Sequence, residues 1–153
     1  MKIETLNIHG AALTVYLREA DEAMPLAATR PLVLVVPGGG YEHVSAREAD
    51  PVAVRFLAAG YHAAVLTYGV GEEARGYKPL RQIDGALAAL RDRAAGWGIR
   101  PDKIAVCGFS AGAHLALSSA VLPLPGQTGW KERQRPNALI LSYPVVTAGP
   151  YAH

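Results

Sequence analysis

The chain is poor in the residues that would make it a disulfide scaffold, a metalloprotein or a nucleic-acid binder. Its only cysteine is Cys107, which excludes an intrachain disulfide framework and a cysteine-built metal cluster. Cys107 falls at the end of an apolar run and reads as an inert core thiol. The five histidines do not pair at the spacing that places two ligands on one helix face, so no metal is called for. Nor does any motif call for a cofactor. Only 18% of residues are charged, against about a quarter in ordinary soluble domains. A net charge of +2 is too small to favour a nucleic-acid backbone or an anionic membrane surface. The short basic stretch Lys131, Arg133, Arg135 reads as solvated. No apolar run approaches the roughly 18 residues of a membrane span. Met1–Leu6 lacks the uninterrupted apolar segment of a signal peptide, so a cytoplasmic location is expected.

The chain is rich in apolar residues, at 50%, and in glycine, with 16. Lys2–Ile8 and Leu13–Tyr16 read as leading strands joined by a turn at His9-Gly10. Leu32–Val36, Tyr61–Thr67, Lys103–Cys107 and Asn137–Ser142 read as further strands. Helices are expected from about Ala49 to Ala58, ending at Gly60, and from Pro79 through Ala94, with Leu80, Ile83, Leu87 and Leu90 at helical spacing. A third is expected over Ser110–Val121. Segments 68–78 and 122–136 read as loops. Alternating short apolar strands and helices give an α/β class: a mostly parallel sheet sandwiched by helices. The whole of 1–153 is read as one domain.

Gly108-Phe109-Ser110-Ala111-Gly112 carries the chemistry. It follows the apolar run Ile104-Ala105-Val106-Cys107 and leads into a helical pattern, the context in which G-x-S-x-G makes a nucleophile elbow. Ser110 would sit on a strained strand-to-helix turn with its hydroxyl clear of the backbone. Gly108 and Gly112 would remove Cβ atoms that collide as strand and helix approach. A strand-to-helix turn with Ser110 as a capping serine accounts for the same five residues. Upstream, Leu32–Val36 runs into Pro37-Gly38-Gly39-Gly40-Tyr41. Such a loop can turn N–H groups into a cavity, as acyl transfer requires for its oxyanion. The expected donors are the amides of Ala111 and of Gly39 or Gly40; a flexible glycine turn is the alternative.

These segments resemble a known family. Pro37–Tyr41, Arg47-Glu48, Gly60-Tyr61-His62, the run Asp102–Ala116 and Leu141-Ser142-Tyr143-Pro144-Val145 occur in the order seen in α/β-hydrolase esterases. The resemblance is to those related to acetyl-xylan and feruloyl esterases, near the hormone-sensitive-lipase-like branch, over about residues 30 to 150. Pro37 stands where the lipase-type glycine motif often has His, and Ala113 where the elbow often has a second Gly. The resemblance implies carboxylic-ester hydrolysis through an acyl-enzyme on Ser110, with a small-molecule or carbohydrate ester as substrate. Tyr41 and His43 would line the pocket. A non-catalytic α/β module or remnant, or a subunit whose site another chain completes, is the competing reading.

Enzymes of this type carry nucleophile, acid and histidine in that order, and only seven residues follow Val146. The expectation is therefore a C-terminally incomplete fold, with the acid and the histidine outside the chain and this chain alone almost inactive. His153 is read as incidental and His114 as a structural histidine pointing away from the Ser110 hydroxyl. Arg47-Glu48 is read as an ion pair at a helix start, and Asp84 and Asp92 as surface positions. The strand at Leu139-Ile140-Leu141 would then be an unprotected edge through which the chain associates with itself.

Overall fold

The computed structural model of the chain describes residues 1–127 and 132–147. Among these, six strands form one sheet: β1 (Lys2–Ile8), β2 (Ala11–Leu17), β3 (Arg30–Val36), β4 (His62–Thr67), β5 (Ile99–Phe109) and β6 (Ala138–Ser142). Their order is β1-β2-β4-β3-β5-β6. The β1–β2 and β2–β4 pairs are antiparallel, while β4, β3, β5 and β6 run parallel. The helices are α1 (Asp50–Ala58), α2 (Lys78–Asp92), the short α3 (Ala94–Trp97) and α4 (Ala111–Val121). The sequence expectation of a mostly parallel sheet between helices holds. The segments read as loops contain single 3-10 turns at Gly71–Ala74 and Glu132–Gln134.

The apolar run of β3 is explained by burial on both sides. Side chains alternate across a strand. Leu32, Leu34 and Val36 pack with Ile83, Leu87 and Leu90 of α2 and Leu115 of α4. Val35 points the other way, onto Ala53 and Leu57 of α1, together with Ala63 and Val65 of β4. A parallel strand covered by helices on both faces reads as continuous hydrophobics.

Local signals set the element ends. His9 and Gly10 take φ of 51° and 88°, the left-handed pair that suits a two-residue hairpin to strand twist. Helix α1 closes on Gly60, with φ 95°. The Gly60 and Tyr61 amides donate to the carbonyls of Leu57 (3.0 Å) and Phe56 (3.1 Å), the paired bonds of a Schellman end. The accompanying hydrophobic contact is Phe56 against Tyr61, ring centroids 6.2 Å apart.

His62 is buried at the start of β4. Its Nδ1 accepts from the Arg18 amide at 3.1 Å, so the proton sits on Nε2, which donates to the Gly98 carbonyl at 3.0 Å. Burial, together with the Arg30 and Arg18 guanidiniums, lowers its pKa despite the bond to Gly98. The return into β6 is pinned by Arg91, which donates to the carbonyls of Arg133 (2.8 Å) and Arg135 (2.6 Å) and to Asn137 Oδ1 (3.0 Å). Asn137 Oδ1 also accepts from the Ile104 amide at 2.9 Å. The Arg133 side chain pairs with exposed Asp92 at 3.3 Å; Lys131 lies outside the described residues. β6 ends the described sheet, with Ile140 44% exposed.

Asp84 corrects the sequence reading. It is not a surface residue but 5% exposed on α2, and its Oδ1 is buried without a hydrogen-bond partner. Helix α2 packs against the sheet, α4 and the 3-10 turn at 132–134, so its buried arc is wider than the apolar stripe implied. Desolvation pushes the Asp84 carboxyl up to about 7. No described helix is long and apolar enough to cross a membrane.

Candidate active site

The site lies at the C-terminal ends of β3 and β5, where ligands bind in open parallel sheets. Ser110 joins β5 to α4 with φ 49° and ψ −116°. This is a conformation that costs a non-glycine residue on the order of 1–3 kcal/mol and persists only where the surroundings enforce it. The enforcement is visible. The Ser110 amide donates to the Ser142 carbonyl of β6 at 3.0 Å, and its carbonyl accepts from the His114 amide at 2.9 Å. A Cβ on Gly112 would lie 2.1 Å from the Val36 carbonyl oxygen and 2.3 Å from that of Pro37. Only glycine lets α4 come this close to the end of β3.

The glycine loop folds back on itself. Gly39 takes φ 130°, and a Cβ there would lie 2.0 Å from the His43 carbonyl oxygen. The Gly39 carbonyl accepts from the amides of Glu42 (3.0 Å) and His43 (3.2 Å), and the Gly38 carbonyl from that of Ser45 (2.9 Å). Gly38 packs against Ser110: a Cβ on it would be 3.1 Å from the serine Cβ. Among the described residues, the amides of Gly39, Gly40 and Ala111 donate to no acceptor in the chain.

Ser110, Gly39, Gly40, Ala111, Tyr41 and His43, the residues singled out from sequence, all line one cavity of about 760 Å³. It falls within the roughly 300–1,000 Å³ of small-molecule sites. The N-terminus of α4 points its free N–H groups at this space, and its dipole favours negative charge there.

The cavity also holds residues that sequence reasoning assigned elsewhere. Glu48 is not an ion-pair partner at a helix start. Its Oε2 accepts from the Gly38 amide at 2.8 Å and its Oε1 from the Tyr143 hydroxyl at 2.7 Å. It ties the glycine loop to the segment after β6. Burial opposes its charge, but the bonds from Tyr143, Gly38 and Ser45 and the nearby Arg47 outweigh it and hold the carboxyl below its ordinary value. No local pattern announces a contact between residues 95 apart. His114, read as a structural histidine, lines the same cavity as Ser110. Its Nδ1 and the Tyr41 hydroxyl are hydrogen-bonded at 2.8 Å.

Tyr41 is held on several sides. It takes φ 61°, its carbonyl accepts from the Gly71 amide at 2.6 Å, and its ring forms a T-shaped pair with that of Tyr68, centroids 5.8 Å apart. Burial pushes its hydroxyl up to about 12. Tyr68 in turn donates to the Pro37 carbonyl at 2.8 Å.

Among the described residues, the Ser110 hydroxyl makes no hydrogen bond to a histidine. His153 lies outside them. No three His, Cys, Asp or Glu side chains among the described residues converge as a metal site would require.

Comparison with known proteins agrees with this architecture. A family model described as BD-FAE matches residues 13–127. The chain is 35% identical over 131 residues to endo-1,4-beta-xylanase B of Butyrivibrio fibrisolvens, covering 81% of this chain and 21% of that protein. It is 32% identical over 117 residues to the acetylxylan esterase of Xylanibacter ruminicola, covering 75% and 22%. The chain thus spans about a fifth of the length of these relatives. Among solved structures, an α/β-hydrolase enzyme from a Medee basin deep-sea metagenome library superposes with a TM-score of 0.86. It shares 40% identity, over 99% of this chain and 60% of that one.

Proposed function

This chain belongs to the BD-FAE family, and from that footing we propose that it hydrolyses carboxylic esters with Ser110 as nucleophile. One observation carries the reading. The serine is held at φ 49° beneath a cavity where the amides of Gly39, Gly40 and Ala111 have no acceptor in the described chain. A capping serine needs no such strain, and a flexible glycine turn needs no anchoring carboxylate.

In the reaction, Ser110 Oγ bonds to the ester carbonyl carbon and the carbonyl oxygen takes the negative charge. Preorganised N–H groups around that oxygen are worth about 3–4 kcal/mol each to the transition state. The alcohol leaves with a proton, and water then cleaves the acyl-serine. The serine proton must pass to a base, because a serine hydroxyl alone is a weak nucleophile. On this reading the base and the acid that orients it lie outside the described residues. The substrate class is an acetyl or feruloyl-type ester on a xylan-like carbohydrate, supported by the names of the xylanase and acetylxylan esterase relatives.

The test is covalent labelling. The chain is treated with a fluorophosphonate, and the modified peptide is identified by mass spectrometry. The label should fall on Ser110 and be absent from Ser110→Ala. In parallel, whatever release of 4-nitrophenol from its acetate the chain catalyses should disappear in Ser110→Ala. A label on another serine, or hydrolysis unchanged in that variant, refutes the assignment.

A further inference from the structure

A second cavity of about 480 Å³ lies beside the first, and the two share only Tyr41 and His114. Their chemistry differs. The serine cavity is walled by Glu42, Arg47 and Glu48 as well as by backbone. The second is lined by Tyr77, Pro79, Leu80, Leu115 and Leu122, with Ser118 its one hydroxyl outside the tyrosines, and carries no Asp, Glu, Lys or Arg. A charged or hydroxyl-rich group there would lose its hydration without partners. An apolar group would gain about 25 cal/mol for each Å² taken from water. Leu122 is 49% and Tyr77 61% exposed at the rim, apolar surface that a ligand would cover.

The wall between the cavities is fixed rather than loose. The Tyr41 hydroxyl is bonded to His114, its carbonyl to the Gly71 amide, and its ring packs against Tyr68 in a T-shaped pair. The Gly71–Ala74 turn that holds the tyrosine backbone also contributes Ala74 to the second cavity. The partition and the pocket behind it are therefore built from the same elements.

We propose that the second cavity takes an apolar group of the ester, an aryl ring or short alkyl chain, and that the Tyr41–His114 pair is the specificity-determining partition between that group and Ser110. The inference rests on Ser110 being the nucleophile. The polar portion of a carbohydrate ester stays in the serine cavity, and the apolar portion passes the partition. That portion is carried by either the acyl or the alcohol part of the ester.

Binding is measured first, independently of catalysis. The chain, methyl-labelled at leucine, is titrated with 4-ethylphenol and, as control, xylose. The methyl resonances of Leu80, Leu115 and Leu122 should shift with the phenol and not with the sugar. Ser118→Trp, which fills the pocket, should weaken the phenol by at least about tenfold; Leu122→Trp serves if that variant does not fold. Absence of shifts, or equal affinity in the filled variants, overturns the proposal. Hydrolysis then locates the group. Relative to 4-nitrophenyl acetate, Ser118→Trp should reduce kcat/KM at least about tenfold for 4-nitrophenyl 3-phenylpropanoate if the acyl part enters, or for 1-naphthyl acetate if the alcohol part does. Tyr41→Ala, which removes the partition, should raise the same ratio. Binding with neither ester series affected also overturns the proposal. If no ester is hydrolysed, the Ser110 label alone decides the nucleophile, since the base lies outside the described residues, and the binding result still decides the pocket.

Discussion

Asp84 offers a stability test whose sign and size follow from the structure. Its carboxyl is buried with Oδ1 unpartnered, and its pKa rises from 3.8 to about 7. In the native chain it holds its proton up to near neutrality, whereas the unfolded chain releases it near the ordinary carboxyl value. Between those values the native state binds more protons, so stability falls as pH rises. A shift of about three units is worth about 4 kcal/mol in full. Between about pH 5 and about pH 8, some 2 units of that range are crossed, or about 3 kcal/mol. His62 acts in the opposite sense. Its pKa is lowered by burial, so its contribution is complete above the ordinary histidine value and declines as pH falls below it.

Comparing the wild type with Asp84→Asn separates the two. The variant does not titrate at this position, and any cost of a buried amide is the same at both pH values. Urea unfolding followed by circular dichroism gives ΔG for each protein near pH 5 and near pH 8. The variant should gain about 3 kcal/mol on the wild type between the two conditions. His62, common to both, cancels. A wild-type minus variant difference that does not change with pH would show that Asp84 is ionised and satisfied in the native state, and would refute the reasoning.

Three further outcomes are expected. Gly112→Ala places a Cβ 2.1 Å from the Val36 carbonyl oxygen, a backbone atom that cannot rotate away. Melting experiments should show a loss at or beyond the roughly 1–3 kcal/mol of ordinary overpacking, with Ser110 labelling lost alongside. Glu48→Ala leaves the Gly38 amide and the Tyr143 hydroxyl without their acceptor, so unfolding should show about 1–3 kcal/mol of destabilisation near neutral pH. Because the Glu48 carboxyl is held below its ordinary value, its contribution is present above that value and lost as pH falls, and the variant's deficit should shrink in acid. The β6 edge, with Ile140 44% exposed, should pair with a second copy: size-exclusion chromatography should show concentration-dependent dimers that Ile140→Lys abolishes, and a monomer at all concentrations would refute this.

What the sequence revealed and what it hid divide along physical lines. The Ser110 turn was legible because Gly108 and Gly112, which permit it, stand two residues either side of the serine inside one short, strongly patterned segment. The Gly60 helix end and the His9-Gly10 turn were legible for the same reason. The errors fell on buried or half-buried groups whose partners are distant in the chain. Asp84 was assigned to the surface because carboxylates are rarely buried, and nothing near it records that α4 and the turn at 132–134 widen the covered arc of α2. Glu48 was assigned to its neighbour Arg47, while its actual partners are Gly38 and Tyr143.

The two misplaced carboxylates illustrate one rule that sequence does not carry. Both lose hydration on folding, and desolvation alone would raise both pKa values. At Glu48 a backbone amide, two hydroxyls and a nearby guanidinium reverse the shift, so the group stays ionised and can hold the glycine loop beside Ser110. At Asp84 no donor reaches the buried oxygen, and the shift stands. The charge state of these two acids is decided by how many donors the tertiary structure brings to each. The acid that orders the serine cavity is the one that received them.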